Sequence, residues 1–299
     1  MTESSRTPSR LYGRSELVAL AALILGAMTM GVSPVFVREA DVGPFTSAFY
    51  RVLLALPAIW LWARLEARQP DAKPDPGWTR PIILAGVFFA GDLFFWHLAI
   101  LNTTMADATL LATLAPVWVA LFSGLFIGEP VTAAMIGGLA LCLAGGGMLV
   151  GASWLGAPGR LVGDLYGLAT SVFFGLYFLA VRVARRQAGG GAILFRSTLI
   201  TSIALGAVAA ATEHQLVPVT LAGLAALVAL AYVSHLGGQG LLAYALGHLS
   251  AAFSSLVIFL EAVFAAFFGW LIFHEALTMW QLIGGAAILA GIWIARPRH

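Results

Sequence analysis

The sequence predicts an all-α integral membrane protein of ten transmembrane helices, arranged as two inverted five-helix repeats. Three observations carry this prediction. Of 299 residues, 60% are apolar and 10% charged, with mean hydropathy +0.92, whereas soluble domains average about 25% charged residues. The apolar residues form continuous runs, such as Leu17 to Val37 and Ala251 to Phe273. That is the pattern of spanning helices of about 20 residues, not of alternating barrel strands of about 10. The chain also repeats itself at an offset of 146 residues. The net charge of +2 forms no basic patch, so a nucleic-acid binder is excluded along with a soluble enzyme and a disordered chain.

The segments follow in order. Residues 17–37 come after Arg6, Arg10 and Arg14; the apolar run is too long for a signal peptide and reads as a retained helix. Ser33-Pro34 removes a backbone donor there and permits a kink, as do Pro57 in segment 44–64 and Pro116 in segment 105–127. Segment 81–101 holds Asp92 and His97 among aromatic residues, and segment 132–151 holds Cys142, the single cysteine, so no disulfide framework is expected. Segments 163–183 and 193–212 follow, then 220–244, which Gly237, Gly238 and Gly240 loosen beside His235. Segments 251–273, with Glu261 near its middle, and 278–295 complete the ten. The spacings Gly124-x3-Gly128 and Gly147-x3-Gly151 allow close helix contact. The residues left over suffice for short loops and no extramembrane domain.

Orientation follows from Lys and Arg in short loops. With the N-terminus inside, twelve fall on inner segments, while Arg38 and Arg160 lie outside and Arg51 and Arg196 within helices. Both termini are expected in the cytoplasm. At offset 146, Glu129 falls on Glu275, Gly138 on Gly284, Gly145 on Gly291, Gly91 on Gly237 and Ala99 on Ala245; at 145, Tyr50-Arg51 falls on Phe195-Arg196. The halves are 1–155 and 156–299. Five helices per half is an odd number, so the second half enters the membrane upside down, the architecture of secondary transporters with a midplane site between repeats.

Phe49-Tyr50-Arg51 and the stretch Ala106 to Pro130, ending Leu125-Phe126-Ile127-Gly128-Glu129-Pro130, resemble the EamA family of the drug/metabolite transporter superfamily. A weaker second copy runs from Ala251 to Glu275, with His274 in place of Gly128. The resemblance covers nearly the whole chain and implies a ten-helix exporter of the bacterial inner membrane. The aromatic-rich interior is most similar to the YddG-type exporters of aromatic amino acids.

An ionisable side chain at the bilayer centre costs roughly 2.5–3.5 kcal/mol on insertion scales, which singles out Asp92, His97, Asp107, His235 and Glu261. Helical spacing puts Phe89, Asp92 and Trp96 on one face, and His235, Gly238, Gln239 and Leu242 on another. The repeat superposes the two faces and turns both toward one cavity. In the functional reading Asp92 meets an ammonium group, Trp96 and Phe89 an apolar side chain, and His235 and Gln239 a carboxylate. The structural reading is an interhelical Asp–His or Asp–amide clamp. Thr109 and Thr113, with their repeat counterparts Ser255 and Phe259, form a second pair of faces, either binding substrate or packing helices.

Glu261 and Asp92 are the acids to test for proton coupling, with a buried structural pair as the other reading of Glu261. Arg51 and Arg196 either snorkel to lipid phosphates or gate opposite mouths. Glu129 and Glu275 would favour the positive start of the following helix. Tyr177, Tyr232 and Tyr244 are aromatic candidates for the cavity, or interface anchors. Pro34, Pro57, Pro116, Gly237 and Gly238 are the expected hinges.

No H-E-x-x-H, G-x-S-x-G, P-loop or metal-ligand cluster occurs, so no cofactor or metal is expected. Gly238-x-Gly240-x-x-Ala243 matches a dinucleotide pattern by letters alone, in an apolar helix with no strand before it. The expected partners are a small-molecule substrate, an amino acid or related metabolite, and the lipid bilayer, with no nucleic acid; the oligomeric state stays open, a monomer included. The competing functions are an exporter of cationic or aromatic drugs and, behind it, a channel.

Overall fold

Prolines decide where three of the first four segments break, because each lacks the N–H that a continuous helix needs. A computed structural model describes residues 14–103, 105–150, 161–274 and 277–296, whose regular elements are all helical. The first segment divides into α1 (Arg14–Gly31) and α2 (Ser33–Glu39), with Pro34 in the first turn of α2. The second divides into α3 (Pro44–Leu53) and α4 (Leu56–Glu66), with Pro57 in the first turn of α4. After α5 (Arg80–Asn102), the fourth divides into α6 (Met105–Ala112) and α7 (Ala115–Phe122), with Pro116 opening α7. A π-helical turn, Ser123–Ile127, follows α7.

Three long helices without breaks come next: α8 (Ala133–Val150), α9 (Leu161–Gln187) and α10 (Gly190–Thr212). The eighth segment starts as α11 (Leu221–Ala229), runs through a ten-residue π-helical stretch, Leu230–Gln239, and resumes as α12 (Gly240–Ala245). Gly237 and Gly238 lie inside that stretch. The ninth segment is α13 (Ala251–Val257) and α14 (Phe259–Phe273), broken at Ile258 with no proline; the last is α15 (Met279–Ala295). The break at Thr113–Leu114 moved on by 146 falls at 259–260, so the second copy breaks one residue earlier, at Ile258.

A second feature recurs at the offset of 146 itself. Gly128 ends the fourth segment at φ 67°, and His274 ends the ninth at φ 55°. The substitution that weakens the motif in the second copy therefore leaves the left-handed helix end intact, histidine being among the residues that tolerate it.

Eight of the described helical segments are long and apolar enough to cross a membrane, from Ser15–Glu39 to Ala251–Ile272. The fifth and tenth predicted helices are shorter apolar helices, Ala133–Leu149 and Met279–Ala295. These two pack backbone to backbone. A Cβ placed on Gly138 would fall 2.5 Å from the Gly291 carbonyl oxygen, and one on Gly145 2.5 Å from that of Gly284. Both contacts are reciprocal, since Gly291 meets Gly138 and Gly284 meets Gly145. Apolar side chains such as Leu25, Leu121, Ile203 and Trp293 face outward, as lipid-facing surfaces require.

Carboxylates fasten helix starts to distant helices. Glu66 at the end of α4 accepts from the N–H groups of Gly190 and Gly191 (2.9 and 2.7 Å), and Glu213 after α10 accepts from those of Phe45 and Thr46 (2.7 and 2.9 Å). The antiparallel pair α3/α4 and α10 is thus clamped at both ends by an exchanged contact. Asp41 accepts from Val219 and Thr220, at the start of α11. Glu129 corrects an expectation. It serves the start of α13, accepting from Ala251 N–H at 2.9 Å and from Arg182 Nε at 2.6 Å, rather than the following helix α8. There Thr132 supplies the cap, accepting from Met135 N–H. Glu275 lies outside the described residues.

Candidate functional site

A buried cavity of about 50 Å³ lies where the helices are interrupted. Met30 and Ser33 reach it from the α1–α2 break, Ala112 and Thr113 from the α6–α7 break, and Ile258 and Glu261 from the α13–α14 break. Gln239 comes from the end of the π-helical stretch. Broken helices free backbone polar groups, which in a membrane are tolerated where protein or a cavity receives them. The remaining wall is Arg51 of α3, Asp92, Leu93 and Trp96 of α5, Thr109 of α6 and Phe174 of α9.

Charge sets the character of this cavity. One guanidinium, Arg51, shares it with two carboxyl groups, Asp92 and Glu261; Arg51 and Asp92 are only 6% and 7% exposed. Three buried polar atoms on its lining residues have no protein partner: Arg51 Nε, Ser33 Oγ and Gln239 Oε1. Buried polar groups are normally paired, so this cluster of orphans is suited to a polar ligand or to water. The volume is far below the ~300 Å³ at which small-molecule pockets begin. A substrate enters only if the walls move apart.

Seven of the predicted residues meet here: Asp92, Trp96, Thr109, Thr113, Gln239, Arg51 and Glu261. Others lie one layer back. The Phe89 ring stacks on His235 at 5.4 Å and meets Tyr177 tilted at 4.9 Å, and His235 Nε2 lies 2.9 Å from Thr198 Oγ1. Gln239 reaches the cavity while His235, four residues earlier, is taken up by Phe89 and Thr198. Leu242 is fully buried away from the cavity, and Ser255 donates to the Ala252 carbonyl. Phe259 packs beside Gly146 of α8. The hydroxyl face of the ninth segment therefore points elsewhere, and Ile258 and Glu261 take its place.

Arg51 and Arg196 do not form a matched pair. Arg51 is enclosed within the protein, which leaves no route to a lipid phosphate. Arg196 sits at the far end of α10, bonded to Asp75 at 2.6 Å. Of the other candidates, His97 Nδ1 lies 2.6 Å from the Leu93 carbonyl; Tyr232 is 43% exposed, and Tyr244 stacks near His248. The side chain of Asp107 lies outside those described. Sequence reasoning missed Met30, Ser33 and Phe174. Ser33 carried a signal, a hydroxyl beside a kink-forming proline; Met30 and Phe174 carried none.

Comparison with known proteins identifies the family. The model of the EamA-like transporter family matches the chain twice, over residues 17–151 and 161–296. An uncharacterised transporter of Archaeoglobus fulgidus is 27% identical over 92% of this chain and 95% of its own length. The pseudopaline exporter CntI of Pseudomonas aeruginosa is 27% identical over 89% of this chain and 91% of its own. The aromatic amino acid exporter YddG of Ancylobacter novellus is 29% identical over a smaller share, 60% and 59%. A solved crystal structure shares the fold, with TM-score 0.78 at 21% identity over 94% of this chain and 96% of that one.

Proposed function

The chain belongs to the EamA-like transporter family, whose members are transporters and not enzymes, and we propose that it exports amino acids or related zwitterionic metabolites across the bacterial inner membrane. Aromatic or bulky apolar amino acids are favoured. The observation that carries this reading is the single cavity in which Arg51 faces Asp92 and Glu261. Arg51 takes the substrate carboxylate, since its guanidinium matches carboxylate geometry. Asp92 or Glu261 takes the ammonium group. Trp96 packs against the side chain. This assignment gives Arg51 the role that sequence spacing gave His235.

Transport follows by alternating access around this site, pivoting at Pro34, Pro57, Pro116 and the glycines of the π-helical stretch. Inverted halves near 1–155 and 156–299 explain why the family model matches twice. They also explain the reciprocal contacts Gly138–Gly291 with Gly145–Gly284, because a pseudo-two-fold axis exchanges i with j. Both termini lie in the cytoplasm on the Lys and Arg distribution. With one cation between two carboxyl groups, an unpaired buried carboxylate would be costly.

The same imbalance favours a second reading, an exporter of cationic drugs for which both carboxylates supply countercharge. Counterflow of a labelled aromatic amino acid in proteoliposomes separates the two. Saturable uptake, competed by unlabelled amino acids and lost in Asp92→Asn and Gln239→Ala, supports the amino-acid reading and its site. Absence of uptake for every amino acid, with competition by cationic drugs, would falsify it in favour of the second. Wild-type uptake matched by both variants keeps the transporter and removes the site.

A further inference from the structure

A second cavity, of about 290 Å³, opens between α4, the connection 67–79 and the start of α10. It lies at the end of the molecule that the Lys and Arg distribution assigns to the cytoplasm, and its wall includes Arg64, Lys73 and Arg196 against Glu66 and Asp75. Both carboxylates are already engaged. Glu66 holds the Gly190 and Gly191 N–H groups, and Asp75 accepts from Arg196 at 2.6 Å and from Gly77 N–H at 3.0 Å. Arg64 lies over the Trp60 ring at 5.2 Å and has no carboxylate partner among the described residues. Arg196 keeps Nη1 unpartnered. Burial, and after it the positive charges of Arg185 and Arg182, hold the Lys73 ammonium below its usual range, with Glu66 pulling the other way. Three cations line the cavity against two engaged carboxylates, and Lys73 Nζ also donates to the Arg185 carbonyl, so Arg64 is the cation left over.

Its rim is apolar. Trp60, Leu61 and Leu65 on α4 are each about half exposed, and Trp78 lies under Arg196 at 5.8 Å. Tryptophans of this kind mark the headgroup level of a bilayer. We propose that this cavity binds the phosphate of an anionic phospholipid from the cytoplasmic leaflet, with an acyl chain along the exposed face of α4. Basic pockets at helix ends on that side suit such headgroups. A zwitterionic lipid would find no free carboxylate for its ammonium group, and a soluble phosphate would leave the apolar rim uncovered. The inference rests on the proposed orientation and not on the identity of the exported substrate.

The full chain is reconstituted in phosphatidylcholine vesicles containing spin-labelled phosphatidylglycerol or spin-labelled phosphatidylcholine, and the relative association of the two labels is measured. Wild type is expected to prefer phosphatidylglycerol. Arg64→Gln weakens that preference by more than about fivefold, the generic effect of one basic residue at an anionic surface, and Arg64→Gln with Lys73→Gln weakens it further. Arg68→Gln, an exposed charge outside the cavity, loses at most that generic effect. Equal loss in Arg68→Gln, or no wild-type preference, overturns the site. Displacement of the label by soluble glycerol phosphate at matched concentration overturns the lipid as occupant. Counterflow in the same vesicles reports separately on transport, so failure of one reading is distinguishable from failure of the other.

Discussion

Arg51 is the residue on which the site turns, because it is the one guanidinium that lines the cavity with the carboxyl groups of Asp92 and Glu261. A buried charge left without a countercharge is costly. Arg51→Gln should therefore destabilise the protein, and Arg51→Gln with Asp92→Asn should recover part of the loss, measured as a double-mutant cycle of unfolding in detergent. Full additivity would mean that the two do not act on each other. Gln239 and His235 should separate in a different way. Gln239→Ala removes a cavity group with an unpaired oxygen, so substrate KM rises while stability holds. His235→Ala removes a ring stacked on Phe89 and bonded to Thr198, so thermal stability falls first. Counterflow kinetics beside melting curves decide this.

The elements carry their own asymmetry. Proline explains the breaks before α2, α4 and α7, yet the break at Ile258 needs none. The repeat keeps an interruption within one residue of the equivalent position although only one copy has the residue that forces it. The left-handed helix ends at Gly128 and His274 make a sharper test. A side chain in that conformation costs roughly 1–2 kcal/mol. Gly128→Ala should lower stability by about that amount, whereas His274→Gly should raise or preserve it, as read from unfolding midpoints. Equal losses in both would mean that the two ends are held by different contacts.

At the scale of the whole molecule, α3/α4 and α10 are clamped at opposite ends by Glu66 and Glu213. If access alternates, loosening one clamp favours opening at that end. Glu66→Gln should raise the accessibility of a cysteine introduced in the cavity wall to reagents from the cytoplasmic side. Glu213→Gln should raise it from the other. The native Cys142 is buried and gives little background. A shift in the same direction for both variants would argue against alternating access at this helix pair.

The segments, their prolines and the offset of 146 were readable because each depends on local chemistry: apolar run length, a missing N–H, a repeated residue. So were Asp92, Trp96, Thr109, Thr113, Gln239, Arg51 and Glu261 as polar or aromatic residues worth testing. Which of them share a wall was not readable. His235 is taken up by Phe89 and Thr198 while Gln239 reaches the cavity, a difference set by the neighbouring helices. The break at Ile258 brings Glu261 into the cavity in place of Ser255 and Phe259. Arg51 read as a surface anchor because a sequence records how polar a residue is, not what encloses it. Composition and periodicity determined the class of protein and the order of its helices; only tertiary packing decided which side chains face one another, because helix rotation depends on contacts far apart in the chain.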